Sequence, residues 1–147
     1  MTTPLGAPVP GSALLVPLDA HVATMGLDPL PTYTPPYESM ERDPALVARY
    51  PITLISSPAH QFMNSTFVNV PHLRQKAGEP TVELHPADAA ERAIADGQWV
   101  TVFNARGRFR ARAKVGDAVK PGVAVALGTW WTRYTPDGSN CNSTTST

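Results

Sequence analysis

A single cysteine, Cys141, stands in a chain of 147 residues. One thiol excludes an internal disulfide framework and any iron–sulfur or cysteine-based zinc site built within one copy. The histidines, His21, His60, His72 and His85, are scattered and lack a ligand spacing such as HExxH, so no metal ligand is expected. Charge of one sign is missing too: Lys+Arg and Asp+Glu number 12 each, which argues against a nucleic-acid partner or an acidic solvating tail. No apolar run reaches the length of a membrane span, and Met1 is followed by neither a basic segment nor a signal-like apolar core. These absences favour a cytoplasmic chain without membrane contact. A GxSxG elbow is absent as well, so Ser56, Ser57, Ser65 and Thr66 are not read as nucleophiles and no catalytic residue is assigned.

What the chain does have is proline. Ten of its 16 prolines lie within the first 51 residues. Residues 1–13 read as a flexible leader and 14–49 as an extended strap, with a short edge strand at "SALLVPL" and a helical turn or two at "DAHVATMG". In "LDPLPTYTPPYES" the prolines remove backbone donors, leaving Leu27, Leu30, Tyr33 and Tyr37 free to lie against another surface.

The compact part is expected at 50–147. "YPITLISS" and "TVELHP" have strand character, and a helical turn is placed around Pro71 to Lys76. "ADAAERAIADG" reads as a short helix closed by Gly97 and capped near His85 to Asp88. "QWVTVFNARGRFRARAKV" is the clearest hairpin. Val100 and Val102 share one face of its first arm, Phe109, Ala111, Ala113 and Val115 one face of its second, and Asn104 to Gly107 turn between them. "VAVALG" is a final strand. Short strands, one short helix and glycine-rich connections indicate a mostly β fold closed as a compact barrel.

Three places carry possible chemistry. Arg108, Arg110, Arg112 and Lys114 alternate along one strand face, a row suited to phosphate, to another domain's carboxylates, or most commonly to solvent. After the first strand, "SSPAHQFMNSTFVN" gathers His60, Gln61, Asn64, Ser65, Thr66 and Asn69. This neutral set suits hydrogen bonding to a heterocycle or to phosphate oxygens, or simply the fixing of a loop. Asn64-Ser65-Thr66 and Asn142-Ser143-Thr144 match the glycosylation pattern, which coincidence explains in a chain without a secretory segment. Third, Trp130 and Trp131 leave the last strand together, and in an extended segment at most one of them points inward. Asn140, Asn142, Thr144 and Thr145 then form a second polar cluster, either a ligand loop or a ragged tail.

Residues 50 to 146 resemble the C-terminal molybdopterin dinucleotide-binding domain of molybdenum oxidoreductases of the dimethyl sulfoxide reductase and formate dehydrogenase superfamily. The resemblance rests on "YPITLISSPAHQFMNSTFVN", on "EPTVELHPADAAERAIADGQWVTVFNARGRFRARAKVGDAVKPGVAVALGTWW", and on "TPDGSNCNSTTS" after the aromatic pair. "GLDPLPTYTPP" is similar to the segment that precedes this domain in those enzymes.

The resemblance implies a double-psi-type β-barrel of the aspartate decarboxylase-like kind, with one or two short helices, following a Pro-rich strap. It implies a cap over a bis(molybdopterin guanine dinucleotide) cofactor carrying molybdenum, held mainly by preceding domains. His60, Asn64, Ser65 and Thr66 resemble the loop that approaches pterin and phosphates, and Trp130, Asn140 and Asn142 the second contacting loop. The iron–sulfur cluster and the protein ligand to the metal belong to domains absent from this chain, so Cys141 is not taken as that ligand. Such a cap has no turnover of its own and, isolated, is expected to be monomeric and to hold no cofactor. Its partners are the preceding catalytic and cofactor-binding domains. The family domain continues beyond a segment like "STTST", so the barrel's C-terminal end is expected to be incomplete. A non-enzymatic alternative is a small β-barrel interaction or assembly module docking through the basic hairpin face and the Pro-rich strap. Neither loop distinguishes formate, nitrate or an S-oxide as substrate.

Overall fold

A computed structural model describes residues 24–26, 33–36, 38, 39 and 41–145. The chain divides into two units, Met1–Arg42 and Asp43–Thr147. In the first, residues 33–36 form no regular element, and the Arg42 guanidinium donates to the Pro35 carbonyl at 3.3 Å. The strand expected at "SALLVPL" and half of the strap lie outside the described residues.

The second unit opens with a helix, α1 (Pro44–Arg49), in the stretch read as strap. Its start is fixed chemically. The Asp43 side chain accepts from the Leu46 amide at 2.9 Å, and Pro44 follows, where its preset φ suits a first helical turn. Then come β1 (Thr53–Ser57), α2 (Pro71–Ala77), β2 (Thr81–Leu84), α3 (Pro86–Glu91), β3 (Trp99–Phe103), β4 (Arg108–Val115) and β5 (Val123–Leu127). Two 3-10 turns close the described chain, Thr132–Tyr134 and Cys141–Thr144.

The strands form one mixed sheet in the order β1-β5-β2-β4-β3. β1 runs parallel to β5 with Thr53 opposite Val123, and β2 runs parallel to β4 with Thr81 opposite Arg112. β5 is antiparallel to β2, and β3 to β4. The double-psi barrel expected from the sequence is therefore corrected: the sheet is open. Closure requires a ladder between the outer strands, and β1 and β3 stand at opposite edges with no pairing between them. Alternation along a strand shows which face it buries and nothing about its partner across the sheet, which is why the pattern supported a closed form that the ladders do not make.

The α3 helix is shorter than expected. It ends with Ala93, at φ 52°, in the left-handed region. The Ile94 amide bonds back to the Ala89 carbonyl at 2.9 Å and the Ala93 amide to Ala90 at 3.1 Å, the paired closing bonds of a Schellman motif. Gly97 is therefore not the terminator; its amide joins the sheet at the Ala113 carbonyl, 2.8 Å away. His85 caps the other end, its Nδ1 accepting from the Ala87 amide at 3.1 Å.

One face of the sheet carries the main core of Val82, Leu84, Phe109, Ala111, Ala113, Ala124 and Ala126, joined by Cys141. These residues occupy alternate positions on β2, β4 and β5, so the period of two places them on a common side. Cys141 is 3% exposed and lies 3.4 Å from the Ser56 hydroxyl. The tail after the tryptophans is thus anchored by a core residue. Gly107 lets it approach, because a Cβ there would press on the Ser143 carbonyl. Asn104 and Arg106 fasten the same turn, both donating to the Thr144 carbonyl, the former at 2.6 Å.

Candidate functional site

A second, smaller core of Phe62, Val68 and Trp130 joins the loop after β1 to the segment after β5. Phe62 and Trp130 meet edge to face with ring centroids 5.1 Å apart. Gly128, at φ 72°, permits this: a Cβ there would crowd Ala59 and the Phe62 ring. Trp130 is the inward member of the pair, 5% exposed. Trp131 is half-buried, stacks on Tyr134 at 6.3 Å and donates its indole N–H to the Ser65 carbonyl at 2.7 Å.

Around Ser65 the backbone is tightly wound. Met63 and Thr66 exchange amide-to-carbonyl bonds of 3.3 and 2.8 Å, which leaves Asn64 and Ser65 at the tip of a two-residue turn. Asn64 has φ 54°, a conformation asparagine tolerates, whereas Phe67 at φ 74° is an outlier for a bulky residue. The surroundings hold it there. Val68 is fully buried beside it, and Arg74 donates to the Val68 carbonyl at 3.0 Å. Strain over-determined in this way is a feature of ligand clamps.

The side chains of His60, Asn64, Ser65 and Thr66 are exposed and make no hydrogen bond to any described residue. Asn140 is placed differently. Its Nδ2 donates to the Trp130 carbonyl at 2.6 Å and its Oδ1 accepts from the Asn142 amide at 3.0 Å, so both ends of its amide are spent on holding the loop. Asn142 is exposed. One series of contacts therefore links most of the sequence-assigned residues: Ser65 to Trp131, Trp130 to Asn140, and Asn140 to Asn142. His60 and Thr66 flank this series without joining it through side-chain bonds.

The basic row on β4 is largely spoken for. Arg112 pairs with Glu79 at 2.8 Å and Lys114 with Glu83 at 2.6 Å, while Arg110 and Arg112 both lie over the Trp99 ring. The sequence alone missed a second arginine group, Arg74 and Arg133, which meet at Tyr134. The only signal was the arginine within "TWWTRY", too little to join two distant segments. Among the described residues, no three His, Cys, Asp or Glu side chains are grouped to hold a metal, and no helix is long and apolar enough to cross a membrane.

Comparison with known proteins gives this geometry its context. The family described as "Molydopterin dinucleotide binding domain" matches residues 52–147. The chain belongs to this family. It is 36% identical over 138 residues to the dimethyl sulfoxide/trimethylamine N-oxide reductase of Cereibacter sphaeroides, covering 90% of this chain and 16% of that protein. With dimethyl sulfoxide reductase DmsA of Escherichia coli (strain K12) it shares 39% identity over 112 residues, 76% of this chain and 13% of the relative. Among solved structures, acetylene hydratase from Pelobacter acetylenicus superposes with a TM-score of 0.67 at 26% identity, over 75% of this chain and 15% of that one. The chain spans a small part of the length of the relatives it matches, and it is a molybdopterin dinucleotide-binding domain of a molybdenum-cofactor oxidoreductase family.

Proposed function

We propose that this chain is the cap of a bis(molybdopterin guanine dinucleotide) molybdenum oxidoreductase, orienting the dinucleotide through its two polar loops and carrying no turnover alone. The observation that carries the reading is the Trp131–Ser65 tie between those loops, with the side chains of His60, Asn64, Ser65 and Thr66 left unbonded beside it. Their donors and acceptors fit the group: amide, hydroxyl and imidazole match pterin ring atoms and phosphate oxygens. His60, Asn64, Ser65 and Thr66 would hold it directly. Asn140 would act by fixing the Trp130 backbone and Asn142 by presenting its amide from the 3-10 turn. When bound, the metal–pterin group supplies the electron chemistry, and the chain supplies orientation. The iron–sulfur cluster, the metal ligand and the substrate pocket belong on this reading to preceding domains, with 14–49 as the connecting strap. Similar proteins carry the names of reductases and of a hydratase, in keeping with a domain that does not choose the substrate.

The test is the rate of cofactor exchange in the full-length protein. Asn64→Ala and Asn140→Ala are each expected to speed release of the guanine dinucleotide, since losing one partner of a desolvated hydrogen bond costs about 1–3 kcal/mol, or roughly five- to 150-fold. Arg110→Ala, on the strand face, should leave the rate unchanged. Unchanged exchange in both Asn variants, with Arg110→Ala emptying the site, would transfer the contact to the basic strand face.

A further inference from the structure

Three basic side chains around the sheet pair with carboxylates of the chain. Arg112 pairs with Glu79, Lys114 with Glu83, and Arg92 with Glu91. Among the described residues Arg108, Arg110, Arg74 and Arg133 have no such partner, and of these Arg74 and Arg133 meet at one ring. Their guanidinium carbons lie 4.0 and 4.8 Å from the centre of the Tyr134 ring, and Arg133 also lies 4.6 Å from that of Trp131. Neither pairs with a carboxylate of any described residue. Ring faces attract a cation but do not cancel its charge, so two positive centres remain beside one tyrosine. Both line an open groove of about 550 Å³ whose other walls include Glu79, Trp99, Trp130 and Tyr134.

We propose that this groove docks an acidic, extended segment of the same protein lying outside residues 1–147. The inference rests on the reading of the chain as one domain of a larger enzyme, as its 16% share of the Cereibacter relative suggests. Three properties select the occupant. Guanidinium forks match carboxylates bidentately, and here they have none of their own. The aromatic walls, with Pro71, Pro80 and Pro136 between them, suit the side chains and fixed backbone of an extended peptide. The groove is also open to solvent, whereas small-molecule sites enclose most of their ligand.

Carbodiimide coupling in the full-length protein carrying Arg133→Lys tests this directly. The reagent activates a carboxylate touching the introduced amine; an amide bond forms, and the reagent leaves as its urea with the carboxylate oxygen. Lys114 and Glu83, 2.6 Å apart, supply an internal positive control. The expected result is the control cross-link plus one joining the peptide around position 133 to an Asp- or Glu-containing peptide from outside residues 1–147 of the same molecule, suppressed at about 1 M salt. The control cross-link alone, coupling to Glu79, to residues 1–42 or to a second copy, or a phosphoramidate on the amine marking a phosphate occupant would each overturn the docking. Coupling is read without reference to cofactor content. A protein offering no polypeptide outside this chain would remove the larger-enzyme reading itself, whereas a larger enzyme showing only the control would remove the docking and leave that reading in place.

Discussion

The indole nitrogen of Trp131 reaches the backbone carbonyl of Ser65 at 2.7 Å across 66 positions of sequence. It is a bond from a side chain to main chain, so it fixes where the Asn64–Ser65 turn sits without using any side chain that the turn presents. The same indole stacks on Tyr134, and Tyr134 lies beneath Arg74, which holds the Val68 carbonyl. The loop after β1 is thus braced from both ends by one aromatic assembly.

Trp131→Phe keeps a ring for Tyr134 and removes the donor. Amides from Met63 to Phe67 are expected to exchange with solvent several-fold faster, with a stability loss of about 1 kcal/mol. Hydrogen exchange followed by mass spectrometry measures both. Unaltered exchange in that loop would show that Phe62 and Val68 hold it unaided.

Gly107→Ala should destabilise the unit by about 1–3 kcal/mol, because the new methyl group meets the Ser143 carbonyl, a backbone atom that cannot swing aside. Urea unfolding monitored by tryptophan fluorescence gives the value. A change below about 0.5 kcal/mol would mean that the Cys141–Thr144 turn gives way freely.

Ala93→Gly is expected to stabilise. The left-handed conformation at φ 52° costs an L-residue about 1–2 kcal/mol, against about 0.5–1 kcal/mol for the extra freedom that glycine loses on folding. The net gain, up to about 1.5 kcal/mol, appears as a higher urea midpoint with an unchanged slope.

Cys141 should resist an aromatic disulfide reagent in the native chain and react fully once unfolded, since it is 3% exposed within the main core. Gly107→Ala, by loosening the turn that carries it, should raise the native labelling rate. Rapid labelling of the unsubstituted protein would place the thiol at the surface.

The β3–β4 hairpin was legible because everything that specifies it is local: alternation on both arms and an Asn104–Gly107 turn closed by a 3.0 Å bond. Strand order was not, because the pairing of β1 with β5 depends on residues far apart and leaves no periodic trace. The α1 helix was missed although Asp43-Pro44 is a start signal, since the proline-rich sequence before it dominated the reading. At the candidate site, the residue types pointed to hydrogen bonding. They did not show that the Asn140 amide is consumed by the Trp130 carbonyl, because a loop-fixing amide and a ligand-facing amide look alike in sequence. Cys141 offered a better signal than it was given, as free cysteine is among the most buried residue types.

The parallel pairing of Thr53 with Val123 also sets an order of events in folding. Nearly the whole sheet is translated between those two residues, so β1 emerges well before β5, its one partner strand among the described residues. Hairpin β3–β4 can form in microseconds once synthesised, whereas β1 must close a long loop to gain its ladder. During that interval its apolar residues, including Leu54, which packs against the main core in the folded unit, have no sheet to join. Slow folding and aggregation of nascent chains should therefore respond to changes in β1 and β5 far more than to changes in the hairpin, even where the equilibrium stabilities are equal.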